Sequence, residues 1–391
     1  HDSPLSRLNC PSILCLADTA RLGGVDETKR LAGLIQERIG DTLAAHRAEL
    51  APLGPDAGPL LDEAVDYLAG GKRLRARFAV LGYRSVRPLD LGGDPWGELG
   101  LVLDAACALE LFHAAALIHD DVIDRSDTRR GRPSAHRHFA ALHGEAGWRG
   151  ESDHFGLAGA ILLGDLLQSW ADELLQRACD QLDDRAAARA TRAHCNRMRS
   201  EVAAGQYLDV LEEQQPGFAP EKEQLERSTR VLVYKSAKYS VEAPLLVGAA
   251  LAGASDEQER VLAEFGLPVG VAFQLRDDLL GVFGDTDVTG KPVSDDLTEG
   301  KRTVLVTLAR EALPPTQRRL FDEMLGDPTL DSAQIEMLQR TIRDSGAVKR
   351  VEEMITRNID RAEAALDFAP LDEEARDQLT RLAHQAVRRV A

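Results

Sequence analysis

The chain has 391 residues, 44% of them hydrophobic and 28% charged, with a formal net charge of −17. That length and apolar content suit a large helical domain around a single core, whereas the acid excess argues against a nucleic-acid-binding protein, which needs a dominant basic face. Its five cysteines, Cys10, Cys15, Cys107, Cys179 and Cys195, are odd in number and lack CxxC spacing, so neither a disulfide framework nor a zinc site is expected and a reducing, cytoplasmic setting fits.

Residues 1–25 mix Pro, Asp and Ser with one apolar patch at 13–16, too short for a secretory core. They read as a flexible extension, and residues 26–391 as the domain. Leu31, Leu34, Ile35 and Ile39 recur at helical spacing, until Pro52, Gly54, Pro55 and Gly58 break the run. Gly70 and Gly71 then precede Lys72, Arg73, Arg75 and Arg77. A glycine pair opening a basic helix offers free backbone N–H groups and cations together, which suits a diphosphate. On such a helix Lys72 and Arg75 share a face while Arg73 and Arg77 turn elsewhere.

Between residues 101 and 130 there is no Gly or Pro, and the spacing predicts one long helix ending near Gly131 and Pro133. Within it, ELFHAAALIHDDVIDRSDTRR (110–130) sets Asp120 and Asp124 on one face, with His113 two turns earlier on nearly the same face. Ala114, Ala115, Ala116, Leu117 and Ile118 are small or apolar, so carboxylates at the end of this run need a cation or partner to offset desolvation. Arg129 and Arg130 supply a place for an anion beside them. Such a site suits hard divalent cations and the phosphates they bridge.

A Gly-rich loop is expected at 144–159 and a helix at 165–204. GQYLDV puts Gln206 and Asp209 on one face, a spacing that suits a cavity wall or an ordinary surface pair. After a break at Pro216 and Gly217, YKSAKYSVEAPL offers Lys235 and Ser236 to a phosphate or to solvent. The apolar stretch 241–254 contains Glu242 and Pro244 and is too short to span a bilayer, so it reads as a buried helix and no transmembrane segment is expected. FQLRDDLLGVFGD places Gln274 three residues before Asp277, with Asp278 adjoining, and Lys291 and Lys301 follow in a loop with Gly290 and Gly300. Two acidic pairs, each accompanied by cations, read as two sides of one metal-and-phosphate site. Residues 314–391 are helical and charged, and Arg388 and Arg389 are placed to cover that site. No strand alternation is sustained, so the fold class is all-α.

GGKRLR, LIHDDVID with RRGRPSAH, GQYLDV, YKSA, FQLRDD and GKPVSDDLTEGKRT occur in this order, and the set resembles the trans-isoprenyl diphosphate synthases (polyprenyl synthetases) over about residues 60–310. The resemblance implies an isoprenoid synthase-type helical bundle around a deep central cavity, usually a homodimer, dependent on Mg2+. It implies that Lys72, Arg75, His113 and Arg130 hold isopentenyl diphosphate. Asp120, Asp121 and Asp124 would bind magnesium on an allylic diphosphate, with Asp277 and Asp278 facing them from the other wall. Arg129, Lys235, Lys291 and Lys301 would contact that diphosphate, with Ser236, Gln206 and Gln274 positioning it. Ionisation of the allylic C–O bond, attack by the alkene and loss of a proton would lengthen the prenyl chain.

Three positions depart from the family pattern. Gly281 stands where a third aspartate is usual, with Asp285 one turn further on, and Ser236 and Ala237 stand where Thr and Gly are more usual. Behind the first aspartates, Ala115 and Ala116 are too small to stop a growing chain, and Phe112, about 12 Å back along the helix, is the first bulky floor. Geranylgeranyl diphosphate is the expected product. A class I terpene cyclase is the competing reading, but its Asn, Ser and Glu triad fails here: Asn196 and Ser200 are followed by Ala204.

Overall fold

A computed structural model describes residues 14–94, 96–215, 220–284 and 295–388. Helices α1 (Leu14–Glu49), α2 (Gly58–Tyr67), α3 (Leu74–Arg84) and α4 (Glu98–Ile123) lead into a two-residue ribbon, β1 (Thr128–Arg129) and β2 (Arg132–Pro133). Then come α5 (Ala135–Glu145), α6 (Ser152–Asp180), α7 (Arg185–Gln214), α8 (Glu221–Val231), a π-helical segment Leu232–Glu242, α9 (Ala243–Leu251) and α10 (Asp256–Phe283). Further helices from Asp295–Thr298 to Glu373–Val387 complete the described chain. The fold is all-α, as expected.

A helix that is apolar on every side has to be buried. From Leu99 to Phe112 every residue of α4 is buried. This helix is long and apolar enough to cross a membrane, yet 83% of its most apolar window lies inside the protein, which makes it the core helix. Its one fully buried charge in that run, Asp104, accepts from Arg38 of α1 (2.6 Å) and Arg177 of α6 (2.8 Å), so the carboxylate is paired from both flanking helices. A second core packs α9 and α10 against the C-terminal helices, with Phe265, Leu262 and Val269 fully buried. Residues 241–252 are buried as expected, Glu242 apart, and Gly253 is exposed.

Four local expectations are corrected. α4 stops at Ile123, not near Gly131; the Asp, Ser and Thr residues at 124, 126, 127 and 128 compete with the helix for backbone hydrogen bonds. Arg129 and Arg130 therefore belong to a hairpin whose turn residues, Arg130 (φ 54°) and Gly131 (φ 74°), both have positive φ. The 165–204 helix is two helices, split at Gln181–Asp184, where the Asp184 side chain accepts from the backbone N–H groups of Ala186 and Ala187. The Gly-rich loop shrinks to 146–151, because Gly156 and Gly159 lie inside α6: a Cβ on Gly156 would sit 2.2 Å from the His136 carbonyl oxygen, so glycine lets α5 and α6 touch. Lys72 precedes α3 rather than riding on it, since Arg73 caps that helix with φ 48°. At the N-terminus, residues 1–13 lie outside the described residues, and α1 runs unbroken past position 25.

Candidate active site

Three helical segments meet here without side chains between them. A Cβ on Gly205 of α7 would lie 2.4 Å from the Lys235 backbone nitrogen, and one on Gly270 of α10 would lie 2.2 Å from the Ala237 carbonyl oxygen. The segment Leu232–Glu242 is thus clamped between α7 and α10, and its π-helical winding is of the kind that recurs at functional sites. This clamp brings Gln206, Lys235, Ser236, Gln274 and Asp277 to one cavity of about 1090 Å³, faced by Asp120 from α4.

Each aspartate of the first motif has its own surroundings. Asp120 accepts from Gln206 (3.0 Å) and lies 3.3 Å from the Lys235 ammonium. The Asp124 side chain is buried, with the Lys301 ammonium 2.9 Å from its Oδ2. Burial pushes the Asp124 carboxyl up, against the pull of Lys301 and with the help of Asp120. A buried carboxylate whose pKa burial raises, with a second one a helical turn away, fits a divalent cation.

Asp121 points elsewhere. It is fully buried, chelated by the Arg129 guanidinium (Nε to Oδ1 2.9 Å) and hydrogen-bonded by the Tyr67 hydroxyl (3.1 Å). The expectation that all three aspartates face a metal therefore changes: Asp120 lines the cavity, Asp124 sits against the cavity-lining Lys301, and Asp121 positions Arg129. Burial opposes the charge on Arg129, and Asp121 restores and exceeds it. Spacing alone cannot separate these roles, because Asp120 and Asp121 are sequence neighbours that turn 100° apart.

Gln206 and Asp209, open between cavity and surface in the sequence, both line the cavity, and Asp209 pairs with Lys235 at 2.5 Å. Glu213, one turn further, is pushed up to about 8 by burial and by Asp209 and Asp124. On the opposite wall Asp277 and Asp278 line the cavity, and Gln274 donates to Asp278 (2.8 Å). Burial pushes Asp278 up to about 8. Gly281 does not leave a gap. A Cβ there would fall 2.0 Å from Oδ2 of Asp296, so the Asp296 carboxylate occupies the space beside Gly281 and lines the cavity itself. Asp285 and Lys291 lie outside the described residues. Lys301 joins both walls, with Asp124 at 2.9 Å, Glu299 at 2.7 Å and Asp296 at 4.0 Å.

A separate basic end holds Lys72, Arg75, His113 and Arg130, all cavity-lining. Arg75 donates to Ser240 (2.7 Å), lies 4.1 Å from the Tyr239 ring centre, and its buried Nε has no partner. Tyr239 also hydrogen-bonds His113, whose burial and neighbouring arginines push its pKa far below the usual range and keep it neutral. The Gly70–Gly71 turn packs on Arg130: a Cβ on Gly71 would sit 3.6 Å from its guanidinium. Arg73 also reaches the cavity edge but is tied to Gln36 (2.6 Å), Glu110 (3.4 Å) and the Leu68 carbonyl. Arg388 lines the cavity, and Arg389 lies outside the described residues. Tyr239 and Asp296 were not singled out by sequence; Tyr239 follows Lys235 by four residues, and that spacing was the only signal.

Of the three expected chain-length residues, Phe112 and Ala116 line the cavity. Ala115 does not. It sits 100° round the helix from Ala116, fully buried in the core. Asn196 and Ser200 are exposed, and Ser200 donates back to the Asn196 carbonyl (3.0 Å), so they form no metal wall.

The fold and site define a helical enzyme with two acidic walls and a separate basic end around one cavity. The chain belongs to the polyprenyl synthetase family, whose model matches residues 58–342, and it is a prenyltransferase that elongates prenyl chains. It is 32% identical to a geranylfarnesyl diphosphate synthase of Aeropyrum pernix, over 82% of this chain and 91% of that one. A geranylgeranyl diphosphate synthase of Methanosarcina mazei is also 32% identical, over 88% and 91%. The geranylgeranyl pyrophosphate synthase of Corynebacterium glutamicum, solved with isoprenyl diphosphate and magnesium, has 36% identity and a TM-score of 0.84, covering 93% of this chain and 99% of that one.

Proposed function

We propose that the protein condenses isopentenyl diphosphate with an allylic diphosphate, head to tail, and that its product is geranylgeranyl diphosphate. The observation that carries this is the pair of separate anion sites in one cavity. Lys72, Arg75, Arg130 and neutral His113 form one. Arg129, Lys235 and Lys301, with Asp120 and Asp277 on the cavity wall and Asp124 against Lys301, form the other. A cyclase takes one diphosphate and has no use for the first set. Asp120, Asp124 and Asp277 would hold magnesium, which when bound stabilises charge on the departing diphosphate.

The chain's own groups do the rest. Arg129, fixed by Asp121, and Lys235, fixed by Asp209, present cations to the leaving group. The unpartnered Arg75 Nε and His113, aligned by Tyr239, hold the second substrate with its alkene toward the ionising carbon. Incubation with magnesium, isopentenyl diphosphate and dimethylallyl, geranyl or farnesyl diphosphate should give geranylgeranyl diphosphate by mass spectrometry. Hydrocarbon or alcohol released without consumption of isopentenyl diphosphate would mean a cyclase, and no turnover with any starter a regulatory subunit.

The working unit is a homodimer. Phe155, Leu157, Ile161 and Leu162 expose a run of large apolar side chains along α6, beside Trp148, which is more than an isolated helix face leaves to water. Light scattering during gel filtration should give twice the 42.6 kDa chain mass; a monomer that still elongates would refute the dimer.

A further inference from the structure

Relatives equally similar to this chain, at 32% identity, are named for products that differ by one prenyl unit, so overall likeness does not fix this chain's product length. The floor of this cavity is not an aromatic ring alone. Arg199 of α7 lines the cavity with its guanidinium 5.8 Å from the Phe112 ring centre, and donates to Asp172 of α6 at 2.6 Å. The three residues lie at one depth. Phe112 is eight residues before Asp120, about 12 Å, and Arg199 is seven before Gln206, about 10 Å along its helix, with Gln206 bonded to Asp120 at 3.0 Å. α6 runs antiparallel to α4, with Gly164 against His119 and Arg177 on Asp104, which brings Asp172 level with Phe112.

We propose that the Arg199–Asp172 ion pair, seated on Phe112, is a latch that closes the floor of the prenyl cavity and determines product length. The guanidinium lies over the ring at cation–π distance and is held in place by the carboxylate of a third helix. A hydrocarbon tail growing against it offers the guanidinium no hydrogen bond and cannot pass without displacing the ion pair and the ring together, where without Arg199 it would displace only the ring. The side chains of Arg199 and Asp172 are 24% and 43% exposed, so the pair is partly hydrated and the latch acts by filling the floor rather than by the strength of the ion pair.

The latch rests on the elongation reading and is tested separately from it. Arg199→Ala, Asp172→Asn and Phe112→Ala are compared with the unaltered enzyme by mass spectrometry of products from farnesyl diphosphate and isopentenyl diphosphate. Arg199→Ala and Asp172→Asn should each raise the share of products at least one prenyl unit longer by about tenfold, the discrimination a pocket makes against a small added hydrocarbon, while consumption of isopentenyl diphosphate continues. Asp172→Asn changes a half-exposed residue and keeps the fold testable if Arg199→Ala does not fold. An unaltered enzyme that makes no elongated product refutes the elongation reading itself. Elongation with unchanged lengths in both latch variants, or lengthening by Phe112→Ala alone, overturns the latch and leaves the elongation reading standing.

Discussion

Replacing Asp124 with Asn is expected to lower turnover by about 10²–10³, the loss seen when one preorganised electrostatic group is removed from a reacting site, without lowering thermal stability. The two halves of this result have one cause. The Asp124 carboxylate is buried, and burial raises its pKa in the folded protein against the pull of Lys301 at 2.9 Å. A group whose folded pKa is above its unfolded one costs stability at every pH above the unfolded value, so a neutral amide of the same shape removes that cost at pH 7. Lys301 keeps Glu299 at 2.7 Å and is not left alone. Calorimetry of the metal-free protein beside steady-state kinetics checks both halves. Activity within tenfold of the unaltered enzyme, or a clear fall in Tm, would remove Asp124 from its role as the charge-holding aspartate.

Asp121→Ala should behave in the opposite way and lose stability first. Arg129 is buried, and Asp121 holds it through both Nε and its terminal nitrogen, with Tyr67 bonded to the same carboxylate. Removing the acid leaves a buried guanidinium without compensation, a loss of about 3–5 kcal/mol, together with an unmet tyrosine hydroxyl. Denaturant titration should show that loss, and kcat should fall as well because Arg129 no longer points into the cavity. Asp120 lies 3.5 Å from Arg129 and offers only partial relief. If Asp121→Ala lost turnover while retaining full stability, Asp121 would belong with the charge-holding aspartates. The two variants thus separate residues that the motif presents as equivalents.

Much of the architecture was legible because its signals are local. The break at Pro52–Gly58, the apolar run behind Asp120, and the acid and base clusters each declare themselves within a dozen residues. What was not legible depends on partners far along the chain. Nothing near Asp121 announces that Tyr67 and Arg129 will close on it, and Gln206 and Asp209 are ambiguous until α4 and the Leu232–Glu242 segment stand opposite. Glycine misled in both directions: Gly156 and Gly159 look like loop and serve helix contact, while α4 ends at Ile123 with no glycine in sight. Gly281 looked like a lost ligand. Asp296, fifteen positions later, fills its place.

The backbone contacts at Gly205 and Gly270 divide the cavity mechanically. Where helices meet through side chains, small shifts are absorbed by rotamers; where backbone meets backbone there is nothing to absorb them. α7, the π-helical segment and α10 can therefore move only as one stiff plate carrying Gln206, Lys235 and Gln274. The facing side is a two-residue ribbon with left-handed turn residues, where Arg129 is tied back to α4 through Asp121 and Arg130 sits on the turn itself. A substrate therefore meets a fixed plate on one side, and any adjustment to it falls to the turn that carries Arg130.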